Sequence, residues 1–236
     1  MKRIIPVLIV GLVIIIGCVD REPVITIIDI GQNNRIELGR QLREIKKYSP
    51  KIIALDFYLV PDSLDRDSVL MKELMTIKNT VQIVGLHDQH GPDYTWSTLE
   101  ESNSKFKVSN HGFANLTTED SILVKELPMR QSFNSKHIYS FSYAVAENSF
   151  GVKDKFRNTG DKEQKLKLNG LGRNYKLITR DELFSGKVNA EDIKDKIVIM
   201  GYIGGKEDYF YLDKRKTKRI NGVEIHAAII DEIINL

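Results

Sequence analysis

Apolar positions recur along this chain in two rhythms, short unbroken runs and helical stripes, and the two alternate. Val24 to Ile30 is a β-branched run between Pro23 and Gly31 and predicts a buried strand. Asn33 and Asn34 are suited to cap a helix, and Leu38, Leu42 and Ile45 then recur at helical spacing until Ser49-Pro50. Ile52 to Leu55, ending at Asp56, predicts a second strand. After the Pro61-Asp62 turn, Leu70, Leu74 and Ile77 mark a second amphipathic helix, and Thr80 to Val84, closed by Gly85, a third strand. Strand, helix, strand, helix, strand with short links is the pattern of a parallel sheet flanked by helices.

The next segment, His87 to Asn110, is polar and rich in Ser and Asn, and predicts a long surface loop. Tyr139 to Phe150 predicts a helix, Lys153 to Gln164 a charged loop, and Lys165 to Asn169 a half-exposed strand. Asp181 to Phe184 predicts a helical turn, and Ile197 to Met200 the last central strand. Gly222 to Leu236 predicts a final helix with so few polar positions that more than one side must be packed. The expected fold is α/β, a predominantly parallel central sheet with helices on both faces, in a single domain over residues 22–236.

Residues 1–21 read differently. Lys2 and Arg3 precede an uncharged apolar run from Ile4 to Val19. Sixteen residues fall short of the roughly 20 that a spanning helix needs, and a short basic region before an apolar one has the form of a secretory signal. Ile15-Ile16-Gly17-Cys18 resembles a bacterial lipobox, which makes Cys18 a candidate lipidation site. The alternative is an uncleaved anchor helix. Both place the domain in the cell envelope, held at the membrane on its extracytoplasmic side. Cys18 is the single cysteine, so no intramolecular disulfide forms and stability must come from the core. Removing Lys2 and Arg3 from the count leaves 33 basic against 32 acidic residues. That near-neutral balance argues against nucleic acid as a partner.

The segment KIVIMGYIGGKEDYFYLDKRKTKRINGVEIHAAII (196–230) carries the most specific pattern: a strand, a glycine turn at Gly201, Gly204 and Gly205, an acid at Asp208, a basic loop, and GVEIHA opening a helix. It resembles the CHASE type-two domain, an extracellular sensory module found in front of bacterial kinases and cyclases. VITIIDI, KIIALDF, GFAN, YSFSYAVA, LKLNG and LITRDELFSGKV follow that family's order, so the resemblance covers about residues 22–236. Two stretches depart from it: GRQLREIKK stands where relatives carry tryptophan and proline, and YLDKRKTK replaces the Thr-Pro-Leu after the acid. The resemblance implies a sensory, ligand-binding role without catalytic output of its own. The partners it implies are an unknown small ligand or envelope protein and a signalling partner in the membrane.

Asp29, Asp56 and Asp208 each lie at or just past the C-terminal end of a predicted strand, where open α/β sheets bind ligands. With Gly201 and His226 they form the candidate ligand-binding site, suited to a cation or to an amine-bearing or polyhydroxylated molecule. The alternative is that each carboxylate caps a turn or helix, the glycines serve the turn, and His226 is satisfied by local hydrogen bonds. Asp56 lacks the second aspartate that a dehalogenase-type phosphatase carries two residues on; Tyr58 stands there. His87, Asp88 and His90 read as solvated side chains rather than metal ligands, since further ligands are missing. Trp96 reads as either a loop anchor or a ligand-stacking residue. The run Lys214, Arg215, Lys216, Lys218, Arg219 reads as a solvated loop, with anionic headgroups or an acidic partner as the alternative. No catalytic residues, metal or cofactor are assigned. The competing classes are an envelope metal-dependent hydrolase using Asp56 or Asp208, and a structural, partner-binding lipoprotein.

Overall fold

The structure is a computed structural model describing residues 24–235 apart from 33, 62–63, 91–94, 107, 109, 120–122, 127–128, 153–174, 205–208, 212–214, 216 and 218. The leader with Cys18, the loop at 153–164, the strand expected at 165–169, and Gly205 and Asp208 therefore lie outside the described residues.

The apolar runs become adjacent parallel strands. β1 (Ile25–Asp29), β2 (Ile52–Asp56), β3 (Thr80–His90), β5 (Asn110–Phe113), β10 (Lys176–Ile178) and β11 (Ile197–Gly201) form a parallel layer in the order β10-β1-β11-β2-β3-β5. The last central strand, β11, thus lies between the first two. β4 (Thr95–Glu100), β8 (Arg130–Phe133) and β9 (Lys136–Tyr139) extend this into a nine-stranded mixed sheet among the described residues.

Strand periodicity divides the core into two. Ile25, Ile27, Ile52, Ala54, Ile197 and Ile199 face α3 (Phe141–Phe150) and α5 (Gly222–Asn235). Ile28, Ile53, Leu55, Val198 and Met200 face α1 (Arg35–Lys46) and α2 (Leu64–Met75). The helices on both faces thus follow from runs that are apolar at nearly every position, Thr26 and the terminal Asp29 and Asp56 apart. Asn34 caps α1 by accepting from the Ile36 and Glu37 amides, and Leu38, Leu42 and Ile45 are buried as the stripe required. Arg43 and Lys46 of α1 hold the buried Glu73 of α2 at 2.7 and 2.9 Å. The expected helical turn is α4 (Arg180–Phe184), started by a capping box between Thr179 and Glu182. α5 buries Ile225, Ala228, Ile229, Ile230 and Ile233, in keeping with its apolar sequence.

The expected loop from His87 to Asn110 is corrected. β3 does not close at Gly85 but runs on to His90, and its second half pairs antiparallel with β4. Ser104–Phe106 adds a 3-10 turn that buries Phe106. The ribbon was hidden because His87 to Gln89 are exposed and give no period; Val84, Leu86 and Phe113 anchor it as a small core of their own. Trp96 packs there on β4, and its indole N–H donates to Gln131 Oε1 at 3.3 Å. A second sheet, in the order β13-β12-β7-β6, joins β6 (Thr117–Glu119), β7 (Leu123–Glu126), β12 (Tyr209–Tyr211) and β13 (Arg219–Asn221), and β13 leads directly into α5. Of the basic run, Arg219 lies on β13 with its guanidinium 3.9 Å from the centroid of the Tyr209 ring.

Candidate functional site

Three of the expected site residues meet at one level of the sheet. Asp29 is in register with Gly201, and Gly201 with Asp56, across β1, β11 and β2. All three share the parity of Ile27, Ile199 and Ala54, which sets them on the α3–α5 face. α5 begins over them. A Cβ on Gly201 would stand 2.8 Å from Val223 Cγ2 and 3.3 Å from Asp56 Oδ2, so glycine here lets the first turn of α5 rest on the strand tip beside the carboxylate. Glu224 accepts from the Asn221 backbone amide (2.9 Å) and the Asn221 side chain, while Asn221 Oδ1 accepts from the Gly204 amide (3.3 Å). The start of α5 and the turn after β11 are therefore pinned together.

The two carboxylates differ in environment. Asp29 Oδ1 accepts from the amides of Gly31 (3.0 Å) and Ile203 (3.2 Å), which ties the β1–α1 link to the turn after β11. Asp29 is thus the turn-capping residue its position allowed. Asp56 has no such donor: among the described residues none comes within hydrogen-bonding distance of its carboxylate, and His226 Nε2 stands 3.9 Å away. The Asp56 side chain is only 10% exposed, and burial pushes its pKa up to about 7.

His226 is buried. Its Nδ1 lies 2.9 Å from Ser142 Oγ, and the edge of Phe141 meets its ring at 5.1 Å between centroids. Ser142 Oγ also lies 3.5 Å from the His226 carbonyl. The hydroxyl has one proton for these two acceptors. When Ser142 donates to Nδ1, the ring proton is on Nε2, facing Asp56; when it donates to the carbonyl, Nδ1 carries the ring proton and Nε2 presents a lone pair. The histidine has a side-chain partner on α3, and this contact links α3 and α5.

Tyr58, Glu100, His87 and Ser142 were not foreseen as site residues. Burial raises the Tyr58 pKa to about 12, with the negative charges of Glu100 and Asp56 adding to the shift. A Cβ on Gly85 would lie 2.6 Å from the Tyr58 hydroxyl, so this glycine makes room for the tyrosine. His87 Nε2 meets Glu100 Oε2 at 2.8 Å across the β3–β4 ribbon. The ribbon read as loop therefore brings His87 and Glu100 beside Tyr58. Tyr58, two residues past Asp56, was the one member detectable from extended-chain periodicity.

The arrangement offers a buried acceptor, an imidazole able to donate or accept, and a phenol, at the end of the sheet where ligands gather. Among the described residues no group of three or more His, Cys, Asp or Glu is placed to hold a metal ion. The family model for the CHASE2 domain matches residues 21–236. The chain belongs to the CHASE2 domain family. CHASE2 domains are extracellular sensory modules, so a sensory role is the function shown for this one. No curated protein and no solved structure matches this CHASE2 domain. Among its described residues no helix is long and apolar enough to cross a membrane.

Proposed function

We propose that this CHASE2 domain is tethered to the membrane on its extracytoplasmic side, without catalytic output of its own, and senses a small ligand in the crevice formed by Asp29, Gly201, Asp56 and His226. The observation that carries the reading is the Asp56 carboxylate, enclosed beneath the first turn of α5 with no donor among the described residues. A ligand that brings a donor or a positive charge, such as a cation, an amine or a polyol, satisfies it. Asp208 belongs to the same proposal through its place in the sequence alone.

The consequence of binding follows from what touches Asp56. His226 and the α5 first turn sit against it, and Ser142 connects His226 to α3. Occupancy changes the hydrogen-bonding demand on His226 and so favours one seating of α5 over another. A signalling partner in the membrane would read that seating. The tether is the leader, through a lipid on Cys18 or as an anchor helix.

The binding test is calorimetry of the purified protein against a panel of inorganic cations, amines and sugars, repeated with the double variant Asp29→Asn, Asp56→Asn. Saturable binding that the double variant abolishes supports the site; a panel hit bound equally by both proteins removes it. The topology test is protease accessibility in intact cells and in spheroplasts, with Cys18→Ser to detect lipid attachment. Protection of the domain from added protease in spheroplasts would contradict the extracytoplasmic placement.

A further inference from the structure

The strand-end crevice is not the only place where the molecule encloses an unsatisfied acceptor. On the outer side of α3, a cavity of about 320 Å³ opens between α3, β5 and β9, lined by His111, His137, Tyr139, Tyr143, Glu147 and Asn148 among others. We propose that this cavity binds an organic ammonium ion with an aromatic or apolar body, at a site separate from the strand-end crevice.

Four features of the lining select that chemistry. Tyr139 and Tyr143 stack with centroids 4.7 Å apart and planes inclined by 19°. Tyr139 remains 39% exposed, so the stack offers aromatic surface to an occupant. Glu147 lies one helical turn beyond Tyr143 on the same face of α3, and its Oε2 is buried with no hydrogen-bond partner. Enclosing a carboxylate oxygen without a donor is unfavourable; Oε2 is covered rather than open to the cavity, so a cationic N–H in the cavity removes that deficit once the Glu147 carboxylate turns toward it. No lysine or arginine lines the cavity among the described residues, so Glu147 sets its formal charge and an anionic ligand would be repelled. The two histidines and Glu147 do not form a metal-ligand group. The volume corresponds to about ten water molecules at ~30 Å³ each, enough for a single-ring amine.

The aromatic pair adds to the charge. An ammonium group near a tyrosine face is attracted by the ring quadrupole, and its apolar body gains contact with Ile138 and Ala144, which also line the cavity. Ser142, which bonds His226, belongs to the same first turn of α3 as Tyr143, so an occupant here lies one residue from the link to the strand-end crevice.

The test is calorimetric titration of the full chain in detergent with phenethylammonium chloride, with phenethyl alcohol and phenylacetate as the neutral and anionic counterparts. The expected result is saturable binding of the ammonium compound alone, weakened about tenfold by Glu147→Gln and about threefold by Tyr139→Ala. Circular dichroism confirms that both variants fold. Absence of saturable binding, or equal binding by Glu147→Gln and the unaltered protein, would overturn the proposal. Weakening by Asp56→Asn but not by Glu147→Gln would place the amine at the strand ends; that outcome overturns this inference and leaves the strand-end reading standing.

Discussion

Replacing Asp56 with asparagine isolates the feature on which the strand-end site depends. The carboxyl shifts from 3.8 in its ordinary state to about 7 in the folded protein because it is buried. At 1.36 kcal/mol for each tenfold change in proton affinity, that difference corresponds to about 4 kcal/mol of destabilisation when the group is forced to ionise. Relaxation around His226 reduces this, so the expected effect is about 2–4 kcal/mol. The sign follows from proton binding. Between pH 3.8 and about 7 the folded state holds a proton that the unfolded state has lost, so the stability of the unaltered protein falls with rising pH across that window and levels off above it. The carboxamide of the variant has no such proton to lose. Urea denaturation of both proteins from pH 4 to pH 9 should therefore give a stability difference that moves in favour of Asp56→Asn as pH rises to about 7 and is constant above that. A difference independent of pH would refute the claim that burial of an unsatisfied carboxyl dominates this position.

Other substitutions test the frame around it. Gly112→Ala places a Cβ 2.6 Å from the Phe141 backbone, so α3 must move off β5; a loss of at least about 2 kcal/mol in urea denaturation is expected. Ser142→Ala removes a partner of the buried His226 and should cost about 1–2 kcal/mol by the same assay, and the double variant Ser142→Ala, His226→Ala should lose less than the sum of the two single losses because the residues share a hydrogen bond. Glu73 is driven upward by burial but held below its ordinary value by Lys46 and Arg43, so its contribution is present above pH 4.5 and is lost as pH falls through its lowered folded value. Glu73→Gln should accordingly destabilise at neutral pH by about 1–3 kcal/mol and make unfolding less steep in acid; equal loss at pH 7 and pH 3 would contradict that account.

The central layer was legible because its signals are local. The runs at 25–29, 52–56 and 197–201 are, Thr26 apart, apolar at consecutive positions up to a terminal aspartate or glycine, which only a strand covered on both faces requires. The Asn34 cap and the α1 stripe were equally local. Strand order was not. That β11 inserts between β1 and β2 depends on contacts across some 170 residues, and without that order Asp29, Gly201 and Asp56 are three separate tips rather than one level of the sheet. The β3–β4 ribbon escaped notice because its exposed residues carry no apolar period, and with it went Glu100 and the pairing of His87. The β8–β9 hairpin turns through Asn134 and Ser135, both with positive φ, which suits the tight turn but lacks the glycine that would have announced it. Ser142 and His226 meet only because α3 and α5 pack against each other, and no spacing in the chain encodes that contact.

The most direct test of the link between the crevice and α5 is hydrogen exchange at a single pH above 8, comparing the unaltered protein with Asp56→Asn, which neutralises the carboxyl as a bound cation or proton would. The account predicts altered protection at Ile203, Gly204 and the first turn of α5 from Gly222 to His226, with the amides of β1, β2 and β11 that exchange by local opening unchanged. Protection in the α5 first turn that is identical in the two proteins would contradict it.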